Sequence, residues 1–452
     1  MNKILILLIT ICLFSCEDIL ETEVPASDIP ADQAIQSEED LQDLLNSSYD
    51  VLANYKNGLN QRIADILSDD LDGSLITGFL LEVYNHNTNI FNEDVQGFYK
   101  EPYFMIHRSN LLIEEIDRID MAESDRLRMI AEARFLRGVA HFDAVNLMAH
   151  LPGYSNDNSH LGVPLRFTTG AQPVNRSSVN ETYNAIIADL RFAAANLPDN
   201  NGVYATSFAA NGFLAKVYFQ ELNYDSAIYF VNQVLDNGSP YFLTNNINAR
   251  YSQNITSEHI FYTLSNNAGD DNRSDVFTGS YRSDVQNPFL RVSQDLYELG
   301  TVNALDDRSE WFEVVTREDG SEFYVTTKFN SNYFNVALIH VVDMLLLRAE
   351  ALTMLGTDLD QARDDLNQVR NRAGLVNISP AVSQAQLLDA IQNERRIEMS
   401  FEGDRILQLK RRGAEGEDIL IRGDEWNCNG MILLFPNEEQ FQGFQNNPGG
   451  GC

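Results

Sequence analysis

Positive charge is scarce in this chain: 32 Lys and Arg stand against 66 Asp and Glu, a formal charge of −34 over 452 residues. Proteins that hold nucleic acid neutralise its phosphates with clustered cations, so nucleic acid is a poor partner here. An anionic lipid surface is disfavoured for the same reason, and membrane attachment needs a dedicated anchor. Long apolar runs are also missing. Beyond the first 15 residues nothing approaches the roughly 20 apolar residues of a bilayer-spanning helix. Cysteine is limited to Cys12, Cys16, Cys428 and Cys452, and two isolated cysteines cannot close a zinc site that needs four ligands. Catalytic signatures are lacking too. No His-Glu-x-x-His, Gly-x-Ser-x-Gly, Ser-x-x-Lys, phosphate-loop or dinucleotide-loop pattern occurs, and the seven His residues are scattered without metal-ligand spacing. What is present is apolar material, 44% of residues, enough for a large core and incompatible with disorder as the main state.

The chain opens with Lys3 and an apolar run from Ile4 to Phe14, interrupted only by Thr10 and ending at Leu13-Phe14-Ser15-Cys16. This is a leader of signal-peptide length with a lipobox-like end. Cleavage would remove residues 1–15 and leave Cys16 as the site of lipid attachment, where more than one acyl chain makes anchoring stable. An ordinary secretory leader with an incidental Cys16 is the alternative. Residues 16–34 then mix carboxylates with two prolines without a sustained period, the pattern of an extended acidic tether. Residues 35–452 are expected to form one domain, in an N-terminal part 35–239 and a C-terminal part 240–452. In an exported chain the pair Cys428 and Cys452 reads as a disulfide closing about 25 residues.

The body is expected to be all-α. Ser37 before Glu38-Glu39-Asp40 is a helix cap followed by apolar residues at helical spacing, Leu41, Leu44, Leu45 and Leu52. Further amphipathic segments cover about 98–119, 123–149, 180–196, 207–220, 224–236, 340–355, 359–372, 384–401 and 404–412. Two helix pairs repeat a spacing of small and groove-filling residues: Leu214, Ala215 and Tyr218 before Tyr224, Ala227, Val231 and Val234, and Ala349 and Leu352 before Ala362, Leu366 and Val369. The spacing matches tetratricopeptide-type pairs, with generic helix packing as the alternative. A strand is expected at Glu322-Phe323-Tyr324-Val325-Thr326. The stretches 54–97, 150–179, 240–335 and 413–452 read as large irregular loops, longer than connection alone requires, and such loops are where function usually sits.

Many aromatic residues fall inside those loops: Phe79, Tyr84, Phe91 and Phe98 in one, Phe277, Tyr281, Phe289, Trp311, Phe323 and Tyr324 in another. A flat ring beside Asn, Asp and Arg suits a sugar, whose C–H face stacks while its hydroxyls take directional hydrogen bonds. Packing of loops on helices competes for the same rings. Tyr84, Asn87, Tyr281 and Arg282 are the candidate ligand-binding residues. The Asp69-Asp70-Leu71-Asp72-Gly73 run lacks the full spacing of a calcium loop and offers at most a weak structural calcium site; no other cofactor is expected. Glu394 and Glu398 lie one helical turn apart beside Arg395 and Arg396, and with Glu402 and Arg405 they read as an ion-pair network at a helix junction rather than as acid–base machinery.

Several ordered segments resemble the SusD/RagB family of outer-membrane nutrient-binding lipoproteins. They include Cys16; Ser37-Glu38-Glu39-Asp40-Leu41; Tyr103-x-x-Ile106-x-Arg108-Ser109-Asn110; Glu132-Ala133-Arg134-Phe135-Leu136-Arg137-Gly138; Leu347-Arg348-Ala349-Glu350-Ala351; Leu366-Asn367-x-Val369-Arg370-x-Arg372-Ala373-Gly374; Glu394-Arg395-Arg396-x-Glu398 to Phe401-Glu402-Gly403-x-Arg405; and Phe435-Pro436-x-Glu438. Phe14 is bulky for a lipobox, and the ending Gly449-Gly450-Gly451-Cys452 suggests a subgroup. The resemblance implies a SusD-like helical fold whose loops bind an oligosaccharide. It also implies a SusC-like TonB-dependent transporter as partner, over which the protein sits as a hinged lid on the cell exterior, with no bond made or broken. A peptide-binding tetratricopeptide scaffold and a surface glycoside hydrolase are the rival classes.

Overall fold

The computed structural model describes residues 31–236 and 238–452; the leader, Cys16 and most of the tether lie outside the described residues. A helical turn at Ala31–Ala34 precedes α1 (Glu38–Tyr55). Ser37 and Asp40 cap α1 reciprocally, each side chain taking the other's backbone N–H. Next come α2 (Leu59–Leu67), β1 (Leu71–Asp72), α3 (Gly78–Tyr84), α4 (Glu93–Glu115) and α5 (Glu123–Met148). From Ala131 to Met148 every residue of α5 but the half-buried Arg134 is buried, so the amphipathic pattern vanishes there because neighbours cover nearly all sides. α5 is the spine on which α4 and α6 (Val179–Asn196) pack.

A short hairpin, β2 (Leu161–Pro164) with β3 (Arg176–Ser178), leads into α6, which Ser178 and Glu181 cap in the same reciprocal way. Then α7 (Ser207–Gln220) pairs with α8 (Tyr224–Leu235), and α11 (Val341–Leu355) with α12 (Leu359–Arg372). α8 packs on α11, so the pairs form one row of contacting helices. Ala215, Ala227, Ala349 and Ala362 are fully buried in it, which is what close helix approach requires of small side chains. Gly356 ends α11 in the left-handed conformation, φ 67°. The C-terminal helices are α13 (Gln384–Glu398) and α14 (Arg405–Ala414).

The loops carry more order than the sequence suggests. Region 54–97 holds α2 and α3, and region 240–335 holds β4 (His259–Thr263), α9 (Asp275–Tyr281), β5 (Arg291–Val292), α10 (Gln294–Thr301), β6 (Phe312–Thr316) and β7 (Glu322–Thr326). These elements are short and take their stability from packing rather than from a visible period. The strand expected at 322–326 is β7. It pairs with β6 as a hairpin and belongs to an antiparallel sheet of order β1-β5-β7-β6. β4 pairs with β8 (Val336–His340). Short strands β9 (Leu420–Ile421) and β10 (Asp424–Glu425) pair near the C-terminus. No helix among the described residues is long and apolar enough to cross a membrane.

Candidate functional site

The 283–288 loop between α9 and β5 faces the β6–β7 hairpin, and an open groove of ≈ 770 Å³ runs between them. The loop is tied down by its own polar side chains. The Ser283 backbone N–H donates to Asn330 Oδ1 (2.9 Å) and its hydroxyl to the Thr326 carbonyl (3.1 Å), while the Gln286 amide donates to the carbonyls of Thr278 and Gly279 (3.0 and 3.1 Å). Across the groove, the Asp319 carboxylate accepts from the Ser321 N–H and hydroxyl (2.9 and 2.7 Å), fixing the hairpin turn. The buried Phe323 ring adjoins two guanidinium groups, Arg291 at 3.8 Å and Arg317 at 5.0 Å from its centroid. Arg291 is itself buried and donates to Asn287 Oδ1 (3.2 Å). An apolar surface set among amide, hydroxyl and guanidinium donors is chemically able to hold a polyhydroxylated ligand.

The four candidate residues do not converge. Arg282, immediately before the loop, is half-buried and forks onto Asp284 (2.6 and 2.9 Å) and Asn332 (2.9 Å). Tyr84 lies beyond the sheet edge, packed on Gly73 so closely that a Cβ there would overlap its ring, with the Arg422 guanidinium 4.1 Å over its face. Asn87 is exposed and adjoins Gly451. Tyr281 is corrected by the structure: it is 1% exposed, its ring meets Phe329 and Phe401, and its hydroxyl donates to Asp65 (2.9 Å). It is a core residue and has no face left for a sugar. Trp311, Phe277 and Phe98 are likewise core.

Cys428 and Cys452 form a disulfide, with Cα atoms 5.5 Å apart. Cys452 lies near His86 and Asp424, the one metal-capable group among the described residues. Its sulfur is occupied by the disulfide and offers no thiolate, and His86 Nδ1 already meets Asp424 at 2.7 Å. The acidic run offered for calcium is used internally. Asp69 takes a bidentate fork from Arg405 (2.7 and 2.8 Å), Asp70 meets Arg396 at 2.8 Å, and the Asp72 carboxylate accepts from the Ser74 N–H and hydroxyl.

Beneath the loops lies a buried ion network at the α13–α14 junction. Glu398 accepts from Arg372 (2.6 and 2.7 Å) and Arg308 (3.0 Å), and Arg250 lies at 3.4 Å. Burial alone would raise the Glu398 carboxyl, but Arg372, Arg308 and Arg250 hold it well below the usual carboxylate range. Glu402 meets Lys328 (3.1 Å) and the Tyr251 hydroxyl (2.6 Å), and Arg395 bridges Asp404 (2.6 Å) and Asp343 (2.7 Å). The Glu394–Arg405 motif is thus a structural junction; Glu394 and Glu398 are enclosed, while Glu402 and Asp404 border a cavity with Arg250 and His340. Sequence reasoning singled out Phe323 but missed Arg291, Arg317, Gln286 and Asn287. The usable signal was Asn287-Pro288 and Asp319-Gly320 flanking two short strand-like runs, a pattern of facing turns.

A sequence profile described as starch-binding and associating with the outer membrane matches residues 20–219, and one of the SusD family matches residues 326–425. Among characterised relatives, SusD-like protein P2 of Formosa agariphila is 24% identical over an alignment spanning 90% of both chains. A SusD superfamily protein of Bacteroides vulgatus superposes with TM-score 0.80 at 22% identity, covering 92% of this chain and 99% of the other. A laminarin-binding SusD-like protein superposes with TM-score 0.72 at 24% identity, covering 92% and 100%. The helical architecture and the ordered motifs agree with these matches, and the chain belongs to the SusD/RagB family.

Proposed function

We propose that the protein is a cell-surface lipoprotein, anchored through Cys16, that captures an oligosaccharide in the groove between the 283–288 loop and the β6–β7 hairpin. It passes the ligand to a SusC-like TonB-dependent transporter, over which it acts as a hinged lid. Capture and release need differential contact of the ligand with the open and closed states, and no bond or cofactor chemistry. Family membership supports the reading, as does the carbohydrate binding named for similar proteins, among them the laminarin-binding one.

The observation that carries the site is the groove itself, an open cleft lined by Ser283, Gln286, Asn287 and Arg317 together with Val315 and the largely buried Phe323. Affinity electrophoresis of the detergent-purified full-length chain through gels containing polysaccharides tests it. At least one gel should retard the protein, and the polysaccharide should keep its chain length. Shortened products, or mobility unchanged in every gel, would contradict the proposal.

A further inference from the structure

The charge of the ligand is open in that reading, and the arginines bear on it. Most arginines in the described residues have a carboxylate within ion-pair distance; Arg108, Arg176, Arg191, Arg291, Arg317 and Arg422 do not. Four of these six spend donors on carbonyls or a tyrosine hydroxyl: Arg108 on Ser47, Arg176 on Gly162 and Leu161, Arg191 on the Tyr218 hydroxyl and Arg422 on Tyr84. The remaining two, Arg291 and Arg317, share the Phe323 ring. Arg291 gives one donor to Asn287 Oδ1 (3.2 Å) while its Nε is buried and without a partner among the described residues, and Arg317, exposed on the groove wall, has only a 3.4 Å contact to the Ser321 hydroxyl.

This is an unusual place for two unopposed guanidinium groups. In a chain of charge −34 carboxylates are the abundant partner, yet those nearby are engaged elsewhere. Asp72, opposite Arg291 in the sheet, is held by Ser74. Asp319 fixes the hairpin turn and Asp284 is taken by Arg282. Glu318, exposed on the groove rim, is the one lining carboxylate without such a role among the described residues. Two like charges facing one ring repel each other, and an anion entering the groove would relieve that repulsion. Guanidinium is the side chain best matched to a planar or tetrahedral oxyanion.

Resting on the glycan reading of this groove, we infer that its ligand is an acidic saccharide. A sulfate ester or uronate carboxylate docks on Arg317, the buried charge of Arg291 reinforces it at longer range, and Gln286 and Asn287 serve the neighbouring hydroxyls. Long-range repulsion from so acidic a protein slows the approach of such a ligand. The contact itself is local, and the neutral oligosaccharide lacks it.

The test compares three gels with the full-length chain: laminarin (neutral), polygalacturonate (carboxylate) and ι-carrageenan (sulfate). Retardation by one or both acidic polymers should exceed that by laminarin about tenfold in affinity, and should weaken as NaCl rises from roughly 0.05 to 0.5 M. Which acidic gel retards identifies the oxyanion. Arg317→Ala should bring the acidic-to-neutral ratio close to one, and Arg317→Lys should restore part of it. Laminarin binding equal to or stronger than acidic binding leaves the glycan reading standing and overturns this inference. Binding to none of the three that persists across a wider glycan panel overturns both.

Discussion

Two regions of the molecule treat charge in opposite ways. At the α13–α14 junction the buried carboxylates are met by cations, Glu398 alone being reached by Arg250, Arg308 and Arg372. At the groove, Arg317 on the wall and the buried Arg291 adjoin one aromatic ring, with no carboxylate in ion-pair distance among the described residues. A network whose opposite charges answer one another fixes geometry. A groove with unanswered donors has binding capacity to spare. The contrast separates the part of the chain that shapes the fold from the part that handles a guest.

The sharpest way to break the contrast is to open the closed network. Glu398→Ala would take a shared carboxylate from three buried guanidinium groups, leaving Arg250 and Arg372 to Glu258 and Arg308 to Asp306 and Glu394, and loss of one partner from such a cluster costs about 3–5 kcal/mol. Urea denaturation should show that loss, or the variant should fail to fold. A change under roughly 1 kcal/mol would mean the network is not the junction's support. The pH response follows from the same contacts. Glu398 and Glu402 are held below their ordinary carboxylate values in the fold. Their contribution to stability is therefore complete above the unfolded carboxylate value, about 4.3, and lost as pH falls below it.

A buried charge outside either region gives a second, smaller test. Lys410 is buried, its Nζ has no partner among the described residues, and burial pushes it down to about 7. The unfolded lysine keeps its proton to about 10.4, so between those values the unfolded state binds more protons and stability rises with pH. Lys410→Met should raise stability at pH 7 by roughly 1–3 kcal/mol and flatten the climb toward pH 10, read from denaturation at several pH values. An unchanged climb would show that Lys410 does not cause it.

The smallest effect separates core from groove most cleanly. Tyr281→Phe removes a buried hydroxyl from Asp65 and should cost about 1 kcal/mol in denaturation while glycan affinity stays within a factor of about 2. A larger affinity loss would return Tyr281 to the binding surface.

Much of the helical frame was legible because its signals are local. Ser37, Ser178 and Ser383 each open a helix with a side-chain cap, and period-3.6 apolar residues follow. The role of the Glu394–Arg405 motif was also readable, since acids and bases one turn apart suit a pairing network. The site was less legible. Tyr84 and Tyr281 look alike in sequence, a Tyr in a polar loop, and only tertiary packing puts one beneath Arg422 and the other in the core. Arg291 and Arg317 matter through a ring 3.8 and 5.0 Å away, and Arg291 on β5 meets Phe323 on β7 only through the pairing of non-consecutive strands. Two-residue strands such as β1 and β5 carry no period at all, so the sheet that builds the groove wall is invisible until the chain is folded.

The central claim is that the groove, and not the network below it, holds the ligand. Calorimetric titration of the polysaccharide that retards the native chain against Arg317→Ala, an exposed groove residue whose one hydrogen bond is a 3.4 Å contact to the Ser321 hydroxyl, tests it most directly. The account predicts at least a tenfold loss of affinity, about 1.4 kcal/mol, with a melting temperature within about 2 °C of the native protein. Unchanged affinity in a folded variant would contradict it.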